Sequence, residues 1–328
     1  MSRVVTFGEI MLRLSTPDRQ RFAQATQLDL QLGGAEANVA VAIAQLGGDA
    51  EFVTRLPPHD LARRCLEELR GRGVSVGNVA TGGDRMGVYF IEHGASQRPA
   101  KIIYDRAHSA LAEADPSDFL WPKILAGARW FHWSGITPAL SESAAAIVAD
   151  ATATAKRLGL TVSFDVNYRA KLWTPEQAGA ALTPLMSSVD VCVCGLGDAQ
   201  SVFGLAVENE ESAAAALRDR FGFRMILVPQ RQSGSASHTS WGATLFADGR
   251  AYTSRRYEID IVDRIGAGDA LTGALIFSLG RGDAPQLAVD FAVAASALKH
   301  TVPGDFNLVT LAEVEALAAG GDGGRVQR

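Results

Sequence analysis

Cysteine is scarce in this chain, with three among 328 residues. An odd count that small builds no disulfide framework. Cys192 and Cys194 alternate with Val191 and Val193 in an apolar run, the pattern of a buried strand, and no His/Cys pair lies nearby to complete a metal site. Free thiols fit a reducing compartment, so the cytoplasm is the expected location. Positive charge is also in short supply. Lys and Arg number 31 against 36 Asp and Glu, a net charge of −5 with no basic run, so nucleic acid is not an expected partner. No apolar stretch reaches the ~18 residues of a membrane span, and Met1–Phe7 passes straight into a strand pattern without the layout of a signal peptide.

Several catalytic signatures are absent as well. After the first strand pattern, Val4–Phe7, the chain reads Gly8-Glu9-Ile10-Met11-Leu12, with one glycine where a dinucleotide fingerprint needs three. There is no Walker A pattern. His93, His108, His238 and His300 share no metal spacing, and His132 between Phe131 and Trp133 reads as a core residue, so no metal is assigned to protein ligands. No G-x-S-x-G elbow occurs, which argues against a serine hydrolase.

What the sequence does contain is a repeating alternation of short apolar strands and amphipathic or Ala-rich helices. Strand patterns at 51–54, 130–133, 161–165, 189–193 and 225–228 are interleaved with helical patterns at 35–46, 61–72, 141–158, 175–186, 212–221, 271–279 and 287–300. That order predicts an α/β fold with a mostly parallel sheet sandwiched by helices, and ligands at the carboxyl ends of the strands. One region departs from it. Gly87–Glu92 and Ala100–Asp105 flank a turn-rich stretch, a hairpin signature, and Leu28–Leu32 alternates apolar and polar residues. A small antiparallel β sheet outside the main one is expected, serving as a lid, a dimer surface or both. No linker or repeat divides the chain, so residues 1–328 are expected to form a single domain, with lid strands from about 14–32 and 85–106. The Gly-rich tail Ala318–Arg328 is expected to be loose.

Two stretches carry chemistry. Asp263-Arg264-Ile265-Gly266-Ala267-Gly268-Asp269-Ala270 opens an apolar helix through two glycines. Bare backbone N–H groups and the positive end of the helix make an anion site, usually for phosphate. A carboxylate there is electrostatically unfavourable unless it takes a proton from a hydroxyl attacking that phosphate. The plainer alternative is a Gly-rich turn with an N-capping Asp. Gly33-Gly34 precedes a second helix, and two such sites suggest one for a phosphate donor and one for its acceptor.

Together these stretches resemble the signatures of the ribokinase-like (PfkB) sugar kinases. Gly33-Gly34-Ala35-Glu36-Ala37-Asn38-Val39-Ala40 with Leu46-Gly47 looks like the family's N-terminal signature, and Asp263–Asp269 like its C-terminal one. Within the family, the stretches Phe7–Leu14, Tyr104–Ala110, Ser134–Leu140 and Asp165–Arg169 are most similar to 2-keto-3-deoxygluconate kinases. The resemblance implies a ribokinase-like domain with a β lid, ATP with Mg²⁺ as donor, and Asp269 as the base. Gly266, Ala267 and Gly268 would supply amides to the transferring group. By the same resemblance Gly34, Asn38, Tyr89, Tyr104, Arg106 and Arg169 would meet the sugar. Arginine grips a carboxylate bidentately, which suits an acidic sugar. Arg106 could equally be a lid salt bridge, Arg169 a helix cap, and Tyr89 a cross-strand packing residue. Arg231, Ser233 and Ser235 are the candidate nucleotide contacts, although Ser233–Ser240 could be a solvated turn. A homo-oligomer through the lid is expected. One departure stands out. Where relatives carry an Asn-then-Glu motif for Mg²⁺ and phosphate, this chain has Cys194-Gly195-Leu196-Gly197-Asp198: the Asn and Glu are absent, and Asp198 is a candidate substitute displaced along the chain. The alternatives are a kinase for a neutral ketose such as fructose, favoured if the arginines are structural, and a non-catalytic sugar- or nucleotide-binding protein.

Overall fold

The computed structural model describes residues 3–321, so the tail expected to be loose lies, from residue 322 on, outside the described residues. In chain order the N-terminal part holds β1 (Val4–Phe7), β2 (Met11–Ser15), β3 (Asp29–Gly33), α1 (Ala35–Gln45), β4 (Ala50–Val53), β5 (Arg55–Leu56), α2 (Asp60–Gly71), β6 (Ala80–Thr81), β7 (Gly87–Glu92) and β8 (Lys101–Asp105). The middle holds α3 (Trp121–Ile124), β9 (Trp130–Ser134), α4 (Glu142–Arg157), β10 (Thr161–Asp165), α5 (Pro175–Leu182), β11 (Val191–Val193), α6 (Leu196–Ser201) and α7 (Glu210–Phe221). The C-terminal part holds β12 (Met225–Ser233), β13 (His238–Ala247), β14 (Arg250–Thr253), β15 (Tyr257–Asp260), α8 (Ala267–Gly280), α9 (Pro285–Lys299) and α10 (Leu311–Ala318).

β4, β1, β9, β10, β11 and β12 lie side by side and parallel. β1, β9 and β11 are buried along their whole length, as strands covered on both faces must be. Residues of α1, α8 and α9 form the apolar layer on one face, and residues of α4, α5 and α7 that on the other. This is the helix-sandwiched parallel sheet that the strand–helix alternation predicts.

An antiparallel extension at one edge was not foreseen. β12 continues past Val228 and pairs with β13 from Met225↔Ala247 to Ser233↔Thr239, and β14 and β15 add to β13. The signal was there in Asp248-Gly249. Both residues have positive φ, 51° and 73°, and join Ala247 to Arg250 as a two-residue hairpin turn whose twist matches the strands.

The lid is a separate four-stranded sheet in the order β3-β2-β7-β8. Its β2–β3 and β7–β8 pairs are antiparallel and its central β2–β7 pair is parallel. Met11, Tyr89 and Ile91 on its inner face pack with Ile102, Tyr104 and Ile265. The outer face carries Leu14, Phe90 and Ile103 in cross-strand register.

Candidate active site

A cavity of about 750 Å³ lies between the carboxyl ends of the parallel strands and the inner face of the lid. Gly34, Asn38, Tyr89, Tyr104, Arg106, Arg169, Arg231, Gly266, Ala267, Gly268 and Asp269 all line it. Residues chosen from stretches far apart in the chain are therefore brought to one place. Ser233 and Ser235 are not among them. The stretch read as a nucleotide loop is the β12–β13 turn, and it leans on the lid: the Ala236 amide donates to the Ser96 carbonyl at 2.7 Å, and the Ser96 amide to Ser237 Oγ at 2.9 Å.

Gly266 caps α8 in the left-handed region, at φ 81°, and a Cβ there would lie 2.0 Å from the Asp305 carbonyl oxygen. The fourteen-residue helix behind it aims its positive end and its free N–H groups into the cavity. Asp269, in its first turn, accepts a 2.7 Å hydrogen bond from Asn38 Nδ2 near the start of α1. Burial pushes its carboxyl up to about 6, against the Asn38 bond and with a further push from Asp305. It is therefore ionised at neutral pH yet proton-hungry enough to act as a base.

A buried polar network underlies this loop. Arg13, on the inner face of β2, donates through Nη2 to Asp263 and through Nη1 to Asp305 at 2.6 Å. Burial alone would weaken its hold on its proton, but Asp305 and Asp263 more than reverse that, so it stays charged. Asp263 Oδ1 accepts from the Ile265 amide at 3.0 Å, which bends the chain into the anion loop. The Lys299 ammonium is buried close by, against the Val302 carbonyl at 3.1 Å.

The lid side holds the rings of Tyr89 and Tyr104, stacked at 5.9 Å. Arg106 is buried and donates through Nε at 2.8 Å, and through Nη2, to Glu9 Oε2. The salt-bridge reading of Arg106 is thus realised, while its Nη1 has no hydrogen bond among the described residues and the residue still lines the cavity. Two cations approach the Tyr104 ring, the Arg106 guanidinium 5.7 Å from its centroid and Lys171 Nζ at 5.8 Å. Arg169 is exposed and makes no ion pair among the described residues. Its charge lowers the proton affinity of Asp165, Asp198 and Asp269.

Asp165 ends β10 and Asp198 stands in the first turn of α6. Burial pushes their carboxyls up to about 8 and about 6 respectively, with Asp269 and then Asp198 adding to the push on Asp165. The displacement of Asp198 along the chain does not carry it out of the site. A residue three positions past the N-cap Gly195 returns to the face of the helix start, and Asp198 lines the cavity. Gly197 is the exposed one.

Arg231, Arg264 and His300 gather near the anion loop. Burial, then the like charge of Arg231, lowers the proton affinity of Arg264, which donates at 3.0 Å to the Ala236 carbonyl. Two cations held near each other beside a helix N-terminus form a receptor for a polyanion. Burial pushes His300 down to about 4, so it is neutral, and its ring meets that of Trp241 at 5.4 Å. Glu9, Arg13, Lys171, Arg264 and Asp305 escaped the sequence reading. Glu9 and Arg13 sat in the Phe7–Leu14 stretch and Arg264 in the Asp263–Asp269 signature, which could have flagged them; Lys171 and Asp305 sat in neither. His132 is a core residue as expected, buried and bonded to Ser163 Oγ at 2.9 Å.

A buried carboxylate beside a helix-capped anion loop, with two cations on one flank and a β lid above, has the chemistry a phosphotransferase site needs. Similarity to known proteins agrees with it. A model of the pfkB family carbohydrate kinases matches residues 1–310, and the chain belongs to that family. It is 39% identical over 323 residues to the 2-dehydro-3-deoxygalactonokinase of Haloferax volcanii, covering 98% of each chain. It is 32% identical over 312 residues to the 2-dehydro-3-deoxygluconokinase of Thermoproteus tenax, covering 93% of this chain and 90% of that one. The crystal structure of the 2-dehydro-3-deoxygluconokinase of Thermotoga maritima superimposes with a TM-score of 0.95 at 49% identity, over 97% of this chain and 98% of the other. The ribokinase-like fold expected from the two signatures is thereby established, and the protein is an ATP-dependent carbohydrate kinase.

Proposed function

We propose that the chain, acting as one kinase domain from residue 1 to 328, moves the γ-phosphoryl of ATP to the primary hydroxyl of 2-keto-3-deoxygluconate or a close epimer. The observation that carries this reading is Asp269, ionised at neutral pH and held by Asn38 at the mouth of the anion loop. Asp269 takes the hydroxyl proton as that oxygen bonds to the γ-phosphorus and the bond to the bridging β,γ-oxygen breaks, leaving ADP. The amides of Gly266, Ala267 and Gly268 meet the charge on the transferring oxygens. Arg231 and Arg264 hold the nucleotide phosphates. The lid covers the reaction and keeps water from competing for the phosphoryl group.

Among the described residues no cluster of three His, Cys, Asp or Glu side chains could hold a metal ion unaided. Asp165 and Asp198 nevertheless offer hard carboxylate oxygens to the cavity, which fits an ion that arrives with oxygen ligands of its own. Mg²⁺ bound there would screen the phosphate charges.

The free Nη1 of Arg106, with Arg169 and Lys171, supports an acidic sugar, and the relatives named for 2-dehydro-3-deoxy sugar acids support that class. A neutral ketose is the second reading, favoured by Glu9, which already balances the charge of Arg106. ADP release measured over a panel of sugars and sugar acids separates them. Arg169→Ala should cost the acid about 10–100-fold in kcat/KM, the loss of a charge-assisted hydrogen bond, and a neutral ketose much less. Equal losses would reassign Arg169 to structure.

The outer face of the lid supports a dimer formed lid to lid. Leu14 and Phe90 there are half-buried, and Ile103 is 54% exposed. Ile103→Lys should lower the mass seen by sedimentation, and an unchanged mass would discard this interface. Three free, buried cysteines support a reducing cytoplasm.

A further inference from the structure

Arg13 takes no part in the chemistry above, yet it is buried inside the lid with both ends of its guanidinium committed to the body of the kinase. Its Nη1 reaches Asp305 Oδ1 at 2.6 Å. The other oxygen of Asp305 accepts from Asn38 Nδ2 at 3.3 Å, and the same Nδ2 donates to Asp269 at 2.7 Å. Asn38 Oδ1 is fixed in turn by the Gly34 amide at 3.3 Å. Through Nη2 Arg13 also holds Asp263, whose Oδ1 shapes the anion loop and whose Oδ2 accepts from the Gly304 amide at 3.0 Å. A single lid side chain thus braces the loop that receives the phosphoryl group and the chain of contacts that orients the base.

We infer that Arg13 is a positioning residue: from the lid strand it neutralises Asp305 and so sets both the aim and the proton affinity of Asp269. The inference rests on the reading of Asp269 as the base. Its electrostatic logic is simple. Asp305 is a like charge that raises the proton affinity of Asp269, and Arg13 is the cation in contact with Asp305. The other charged groups acting on Asp269 are Arg169 and Lys299, which favour its ionised form; the neighbouring carboxyls Asp165 and Glu36, pushed up to about 8 and about 7, are largely protonated across the acid limb. None of these bonds to Asp305. Removing Arg13 takes away the cation bonded to Asp305, leaving it only the unbonded Lys299 as counter-charge while it faces Asn38 and Asp269. Removing the charge of Asp305 does the opposite.

The test is the acid limb of kcat/KM against pH in the whole enzyme. Arg13→Gln should move the limb up by roughly one pH unit, the scale of one uncompensated neighbouring charge. It should also lower kcat about 10–100-fold, as a misaimed base does. Asp305→Asn should move the limb down. The double variant Arg13→Gln/Asp305→Asn should bring it back towards the wild-type position. Arg13→Lys keeps the charge and should leave the limb in place, and it carries the test together with Asp305→Asn if Arg13→Gln fails to fold. Limbs that stay put in the folded variants, with only melting temperature or overall rate reduced, would make Arg13 a structural brace and overturn the inference. Failure of the base assignment itself looks different: Asp269→Asn would then keep its turnover, whatever Arg13 does.

Discussion

Replacing Asp269 with Asn should make the protein more stable and nearly inactive, and the stabilisation should depend on pH. The carboxyl of Asp269 is pushed up from 3.8 to about 6, chiefly by burial. A carboxyl with a raised folded-state pKa prefers to be neutral in the fold. Its contribution is most favourable below pH 3.8 and is lost as pH rises through about 6. At pH 8 the ionised group costs about 3 kcal/mol, since each tenfold rise in proton affinity on folding is worth about 1.4 kcal/mol, and at pH 5 the cost is about half that. Asn keeps an oxygen for Asn38 Nδ2 to donate to and carries no charge, so it escapes this cost. With an unfolding entropy of about 0.7 kcal/mol/K for a chain this long, the gain at pH 8 is roughly 4 °C in Tm. The gain should shrink to about 2 °C at pH 5 by the same scaling. Scanning calorimetry of both proteins at the two pH values measures this. Turnover in a coupled ADP assay should fall about 10²–10⁴-fold. A variant no more stable than wild type at pH 8 would refute the burial argument. One that keeps more than about a tenth of the turnover, where chemistry limits the rate, would refute the base.

Two further outcomes follow from the same cavity. In the wild-type enzyme kcat/KM should fall about tenfold per pH unit below about 6, as Asp269 takes up its proton; a rate flat down to pH 5 would contradict this. Asp198→Asn should raise the Mg²⁺ concentration needed for half-maximal rate at fixed ATP, while Gly197→Glu, on an exposed position, should leave it unchanged. The reverse pattern in a titration with free metal controlled would return the metal-facing position to 197.

The parts of this molecule written in the sequence are those made by neighbours in the chain. Strand–helix alternation, the Gly33-Gly34 entry to α1 and the Gly266–Asp269 entry to α8 are local patterns, and each lies where the pattern implied. The β7–β8 hairpin was equally legible from two apolar runs around a turn. Asp198 reaches the cavity despite its displacement in sequence because three helical residues return to nearly the same face, which a linear comparison does not show. Asp248-Gly249 was a readable turn that went unread. The polar network was out of reach for a different reason. Arg13 and Asp305 are 292 positions apart, and Glu9 and Arg106 are 97 apart. No periodicity relates such residues, and a buried arginine in an alternating strand looks like any exposed one until its partners are known. Ser233 and Ser235 show the opposite limit. Small polar residues suit both a phosphate loop and a hairpin turn, and here they flank the β12–β13 turn rather than line the cavity.

The contact between Trp241 and His300 gives the enzyme its own optical probe. Of the five tryptophans in the chain, Trp241 alone lines the cavity, on the flank where Arg231 and Arg264 stand. Trp121 and Trp133 lie buried in the opposite layer, away from it. If Arg231 and Arg264 hold the nucleotide phosphates as proposed, a nucleotide arriving beside the indole should change the polarity around it, so intrinsic fluorescence should report on donor occupancy without a label and separately from phosphoryl transfer. Titrating nucleotide against that signal with and without the sugar present would then show whether one substrate must load before the other.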